Sequence, residues 1–132
     1  DTATQPQPKK QMKKIYYLSN CTTCQAIIKA TGIKPIEQSK NGFIMQDIKT
    51  EKITMAQIDE MKKMAGSYEA LFSRRALKYK ELGLKEKQLT EKNYRQLILE
   101  EYTFLKRPVV IINDKIFIGS DKKTLAALKQ EI

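Results

Sequence analysis

The run Ile15-Tyr16-Tyr17-Leu18 gives way at Ser19-Asn20 to Cys21-Thr22-Thr23-Cys24, and this junction constrains the fold more than any other stretch. Four β-branched, aromatic and aliphatic residues closed by Ser-Asn predict a buried strand ending in a turn. Behind it Cys24, Ile27, Ile28 and Thr31 recur at spacings of three and four, which predicts a helix; Gly32 supplies its stop and Pro35 lies shortly beyond. Phe43 to Ile48 then alternates between two faces and predicts a second strand. A strand–helix–strand unit joins parallel strands, so both cysteines fall at the start of the crossover helix.

The next fifty residues read differently. Thr54-Met55-Ala56-Gln57 is a capping box ahead of Ile58, Met61 and Met64, and Gly66 ends that helix. Ser67 can cap a short helix through Phe72, a further turn runs from Leu77 to Leu82 with Gly83 as its left-handed cap, and Thr90 opens a helix carrying Tyr94, Leu97 and Ile98. Residues 54 to about 105 are therefore expected to be all-helical. Pro108 to Ile112, a turn at Asn113-Asp114 and Lys115 to Ile118 predict a hairpin, and Ser120 or Asp121 caps a last helix bearing Leu125 and Leu128. The expected class is α/β: a four-stranded mixed sheet flanked by helices and interrupted by a helical insertion.

Composition removes whole classes of chemistry. The chain has 132 residues, two Cys and no His, which excludes Ser/His and Cys/His catalysis, His-ligated zinc and four-thiolate clusters; no metal site is expected. No apolar run approaches the ~20 residues of a membrane span. Residues 1–11, rich in Thr, Gln, Pro and Lys, are expected to form a disordered leader left by cloning or processing, ahead of one domain over 12–132. The net charge of +10 is carried mainly by Lys, 21 of 25 cations, scattered as a solvated surface. It suits an acidic partner, but no helix-turn-helix, aromatic-basic or zinc signature points to specific nucleic-acid binding.

Chemistry must then come from sulfur. Cys21 falls at the helix N-terminus, where free N–H groups and the positive end of the dipole stabilise a thiolate, and Cys24 lies one turn on, placed to attack a mixed disulfide formed on Cys21. A C-x-x-C that opens a helix after the first strand is the thioredoxin-like arrangement. Arg107-Pro108, just ahead of a buried strand, is placed to present its backbone to the pair. Met55, Met61 and Met64 read as core, Tyr16 and Tyr17 as split between core and surface, and Asp59-Glu60 and Glu100-Glu101 as solvated helix faces. There is no phosphate loop or nucleotide fingerprint.

Three segments carry a resemblance: the strand leading into C-x-x-C, Ala70-Leu71-Phe72-Ser73-Arg74-Arg75-Ala76-Leu77-Lys78-Tyr79-Lys80-Glu81-Leu82-Gly83-Leu84, and Leu105-Lys106-Arg107-Pro108-Val109-Val110 through Ile118-Gly119. Together they resemble the arsenate reductase (ArsC) family in its Spx/YffB-like branch, over nearly all of residues 13–132. The resemblance implies a thioredoxin-like fold with a helical insertion, Cys21 as nucleophile, Cys24 as resolving thiol, and a cis peptide at Arg107-Pro108. It implies an anion- and substrate-binding set of Arg107, Pro108, Arg75, Arg74, Thr22 and Thr23. Where arsenate reductases carry further arginines, this chain has Gln25, Ser73 and Gly119-Ser120-Asp121. The second cysteine therefore favours a cytoplasmic thiol–disulfide oxidoreductase with no bound cofactor, using glutaredoxin, thioredoxin, glutathione or another thiol as reductant or co-substrate. The alternatives are an Spx-like redox-sensing regulator that binds RNA polymerase, and a glutaredoxin- or glutathione-linked arsenate reductase.

Overall fold

Alternation along the first strand divides the core into two layers. The computed structural model describes residues 12–132, so the expected leader at 1–11 lies outside the described residues. Strand β1 (Lys13–Tyr17) sends Ile15 to one face and Tyr16 to the other, and both are almost free of solvent. It pairs in parallel with β2 (Ile44–Asp47) and antiparallel with β3 (Val109–Ile112), which pairs antiparallel with β4 (Lys115–Ile118). The order is β2-β1-β3-β4, a four-stranded mixed sheet of α/β class, as the sequence predicts.

On one face Ile15, Val110 and Ile112 pack with Ile27 of α1 (Thr22–Thr31) and Leu128 of α5 (Lys122–Glu131). On the other, Tyr16, Val109 and Ile111 meet Ile58 and Met61 of α2 (Met55–Ala65), with Phe72, Ile98 and Phe104 beyond them. Each such aliphatic or aromatic side chain contributes roughly 1.5–3 kcal/mol on full burial. Phe72 is the hub of the second layer, stacked on Phe104 at 5.0 Å and tilted against Tyr94 at 4.8 Å. The one buried polar side chain among the core residues, Gln46, forms a reciprocal amide pair with Gln57 (3.1 and 2.9 Å) and donates to the Glu51 carbonyl. Gln57 is also the third helical residue of the capping box, so the same side chain ties β2 to the start of α2.

The insertion is helical, with α2, α3 (Leu77–Glu81) and α4 (Glu91–Glu100) linked by 3-10 turns at Glu69–Leu71, Leu84–Glu86 and Tyr102–Phe104. The sequence pattern misses one detail: Phe72 and Leu105, at the two ends of the insertion, form an antiparallel β-bridge. Spacing also places Met55 in the core, yet it is 63% exposed. Helical side chains lean towards the N-terminus, so at the first residue of α2 the Met55 side chain projects past the end of the helix into solvent. Asp59 is not merely solvated, since it holds Arg95 of α4 at 2.8 Å and accepts from the Tyr68 hydroxyl. The hairpin turn works as predicted, with Asn113 at φ 56, a conformation that Asn tolerates in two-residue turns. No helix among the described residues is long and apolar enough to cross a membrane.

Candidate active site

Cys21 is the N-cap of α1, half-buried, with an extended backbone (φ −91, ψ 118). Its position is braced from three directions. The Cys21 N–H donates to Leu18 O at 3.2 Å, and the Cys21 carbonyl accepts from Gln25 N at 3.0 Å. The preceding turn is held by the Ser19 hydroxyl donating to Asp47 at the end of β2 (2.6 Å), and by the Gln25 amide donating to Ser19 O (2.6 Å). Gln25 thus anchors the loop.

The Cys21 sulfur stands where a capping oxygen would, facing the open end of the helix without closing a short capping bond. Burial alone would push its thiol up. The backbone N–H of Cys24, the Cys24 thiol, the N–H of Thr23 and the Arg107 charge together outweigh burial and hold Cys21 below the ordinary thiol range. Cys24 is fully buried one turn later and moves the other way, pushed up to about 11. Desolvation is the largest cause there, and the neighbouring Cys21 sulfur adds to it by its charge and by accepting the Cys24 S–H. The pair therefore sets a more acidic thiol at the cleft above a less acidic one beneath it.

A cleft of about 850 Å³ opens over Cys21. Its walls include Thr23, Ser73, Arg74, Arg75, Lys106 and Arg107, with Ser120, Asp121 and Thr124 on the side of α5. The insertion contributes because the Phe72–Leu105 bridge is extended by Ser73 N–H to Phe104 O (2.7 Å) and Lys106 N–H to Leu71 O (2.8 Å), which lays Ser73–Arg75 beside Arg107. Four cations thus face one carboxylate, Asp121. Arg74 is already engaged, by Glu69 at 2.8 Å and by the Tyr94 hydroxyl at 3.0 Å. Arg107 is not: its Nη1 is buried without a hydrogen-bond partner, beside the sulfur it polarises.

Of the residues expected from the sequence, Cys21, Thr23, Arg74, Arg75 and Arg107 come together around the cleft, with Cys24 beneath its floor. Thr22 and Pro108 do not line it. Thr22 is exposed on the first turn of α1, and Pro108 is buried at the start of β3, its carbonyl accepting from Gly119 N at 2.9 Å. The Arg107–Pro108 peptide is cis, as the resemblance implies. Lys106 and Thr124 belong to the cleft although the sequence reading does not expect them there; Lys106 could have been found from its place beside Arg107 in the Leu105–Val110 segment, whereas Thr124 carries no motif signal and arrives through the packing of α5 against β4.

Comparison with known proteins agrees with this fold. No curated protein sequence matches the chain. Among solved structures, a Staphylococcus aureus COL protein is 26% identical with a TM-score of 0.67, covering 88% of this chain and 97% of the other. An ArsC-family-related protein from Bacteroides fragilis is 22% identical with a TM-score of 0.70, covering 88% and 96%. An arsenate reductase from Vibrio cholerae has the same fold at 15% identity and a TM-score of 0.68, covering 92% and 98%. Residues 16–128 match the ArsC family profile, from the first strand through the last helix, and the chain belongs to the ArsC family.

Proposed function

We propose that the chain is a thiol–disulfide oxidoreductase in which Cys21 attacks and Cys24 resolves. The observation that carries this reading is geometric: Cys21 caps α1 at the open cleft and Cys24 lies fully buried one helical turn on, an environment that holds Cys21 low and pushes Cys24 up. The Cys21 thiolate attacks one sulfur of a substrate disulfide, forming a mixed disulfide and expelling the first substrate thiolate. Bond formation consumes the negative charge and the acceptor that add to burial in raising Cys24, so Cys24 becomes more acidic once Cys21 is occupied. Cys24 then loses its proton and attacks the Cys21 sulfur. The second substrate thiolate leaves with both electrons, and a Cys21–Cys24 disulfide remains. An external thiol of the glutaredoxin, thioredoxin or glutathione kind returns the pair to the dithiol, which suits a reducing compartment such as the cytoplasm; no bound cofactor is required.

Insulin reduction or exchange with a fluorescent mixed disulfide tests the assignment. Cys21→Ser abolishes turnover, whereas Cys24→Ser accumulates a covalent adduct on Cys21, seen as a mass increase that a reductant reverses. Full turnover by the first variant would overturn the reading.

One observation favours a second activity on the same sulfur, reduction of arsenate. The buried, unpartnered Nη1 of Arg107 and the free guanidinium of Arg75 offer charge-assisted donors to an oxyanion held over Cys21. Arsenate protecting Cys21 from alkylation at concentrations where chloride does not would support it, and absence of protection would exclude it.

A further inference from the structure

Strand β4 is an outer strand of the sheet, and among the described residues no strand pairs with its outer edge. In an antiparallel ladder, hydrogen-bonded pairs alternate with pairs whose N–H and C=O groups point away from each other. Gly119 N–H donates to Pro108 O, and the register places Phe117 opposite Val110 and Lys115 opposite Ile112. The alternation therefore turns the N–H and C=O groups of Ile116 and Ile118 outwards, where no partner meets them among the described residues. Proteins commonly guard such an edge with charge, proline or a covering segment. The opposite edge is guarded at the entry to β2, where Phe43 exchanges bonds with Lys34 O (2.8 Å) and Ile36 N (2.9 Å). Along β4 the only charge is Lys115, drawn away to Glu131 at 2.9 Å, and Ile116, Phe117 and Ile118 are each half-buried apolar residues.

Beside this edge runs a groove of about 300 Å³ between β4 and α5, lined by Ile116, Phe117, Ile118, Lys123, Thr124 and Ala127. Ile118 and Thr124 also line the cleft over Cys21, so groove and cleft share a wall. Arg75, Lys106, Arg107 and Lys123 are in no ion pair among the described residues, against the single carboxylate of Asp121. We infer that the disulfide reduced at Cys21 is carried by an extended, acidic polypeptide segment that adds to β4 as a fifth strand, bonded to the outward groups of Ile116 and Ile118. Main-chain pairing supplies affinity, alternate apolar side chains fill the groove, and the cations at the cleft end select acidic neighbours of the reacting cysteine. The inference rests on the exchange reading: the thiolate–disulfide step is the one above, with the two electrons passing from the dithiol to the peptide disulfide.

The test uses the Cys24→Ser chain, which stops at the mixed disulfide. Three adducts on Cys21 are compared by NMR amide exchange: a peptide of alternating Val and Glu around one cysteine, the same peptide with Lys for Glu, and 2-mercaptoethanol. The expected result is that the Ile116 and Ile118 amides slow about tenfold in the Val/Glu adduct relative to the 2-mercaptoethanol adduct. Equal exchange in those two adducts overturns edge pairing, and equal protection in the Glu and Lys adducts overturns the acidic requirement. Protection already present in the free protein and lost on dilution assigns the edge to a second copy, and likewise overturns the proposal. Failure of any adduct to form at Cys21 sinks the exchange reading itself, which separates the two failures. As a second variant, Ile116→Pro removes one outward N–H at an edge position that tolerates proline. The ratio of kcat/KM for the Val/Glu peptide disulfide to that for a small disulfide should then fall about tenfold, and an unchanged ratio would contradict the pairing.

Discussion

The coupling between the two sulfurs makes a quantitative prediction for the Cys21→Ser variant. Cys24 is pushed up to about 11 from an ordinary 9.0, first by burial and then by the charge and acceptor of Cys21. At pH 9 a thiol titrating at about 11 is ~1% thiolate, whereas an ordinary one is ~50%. Replacing Cys21 with Ser removes the charge and leaves burial in place, so Cys24 should titrate below about 11 but still above 9.0, with a thiolate population at pH 9 between those limits. Capping Cys21 as a methyl thioether in the native chain, a cap that Cys24 cannot displace, should lower Cys24 in the same direction, because the cap also removes the charge. The assay is the pH dependence of the 13Cβ shift of labelled Cys24, which reports that sulfur alone against a background of titrating tyrosines. A Cys24 midpoint unchanged in both cases would mean that burial sets it entirely. The sulfurs would then not communicate, and the self-triggered second step would have no basis.

Other consequences are as direct. Arg107→Gln should move the alkylation profile of Cys21 to higher pH, since the guanidinium is one of the groups holding the thiol low, while leaving the melting temperature unchanged or raised, because a buried orphan donor is removed. Gln57→Ala should cost about 2–4 kcal/mol in urea unfolding, from the lost half of the capping box plus a buried Gln46 oxygen left without its donor; a cost under about 0.5 kcal/mol would refute the amide-pair account. Phe72→Ala should cost about 3–5 kcal/mol, because a solvent-free ring is deleted from the centre of three aromatic contacts. Asp59 is held down at about 2 by Arg95 and then Tyr68, so its contribution is present above the ordinary 3.8 and is lost as pH falls through about 2. Asp59→Asn should accordingly flatten acid unfolding in that window, and an unaltered acid limb would show the cluster to be idle.

Much of this architecture was legible because the chain states it locally. The Thr54–Gln57 capping box, the helix start at Thr90, the left-handed glycines at 32 and 83 and the Asn113 turn are each decided within four or five residues, and the structure places each where local chemistry puts it. Cys21 was legible for the same reason: a strand, a turn and a helical period fix the N-cap without any tertiary knowledge. What local rules missed is non-local or terminal. Ser73 and Thr124 reach the cleft through the Phe72–Leu105 bridge and the packing of α5 on β4, neither of which leaves a period in the sequence. Met55 obeys the helical spacing of Ile58 but sits where the helix ends, and spacing carries no information about overhang.

The absence of histidine becomes intelligible from this geometry. A Cys/His pair generates its nucleophile by moving a proton to a base, and the pair then titrates as a unit over the range of imidazole. Here the thiol is held low by fixed peptide donors, the Cys24 thiol and a guanidinium that cannot lose its proton near neutrality, so no titrating base in the cleft is needed to favour the Cys21 anion. The exchange rate should then rise once, through the lowered Cys21 value, and stay level above it until Cys24 ionises near 11. A bell-shaped profile with a descending limb near neutrality would require an acid titrating as an imidazole does, in a chain with no His, and would overturn the division of labour between the two sulfurs.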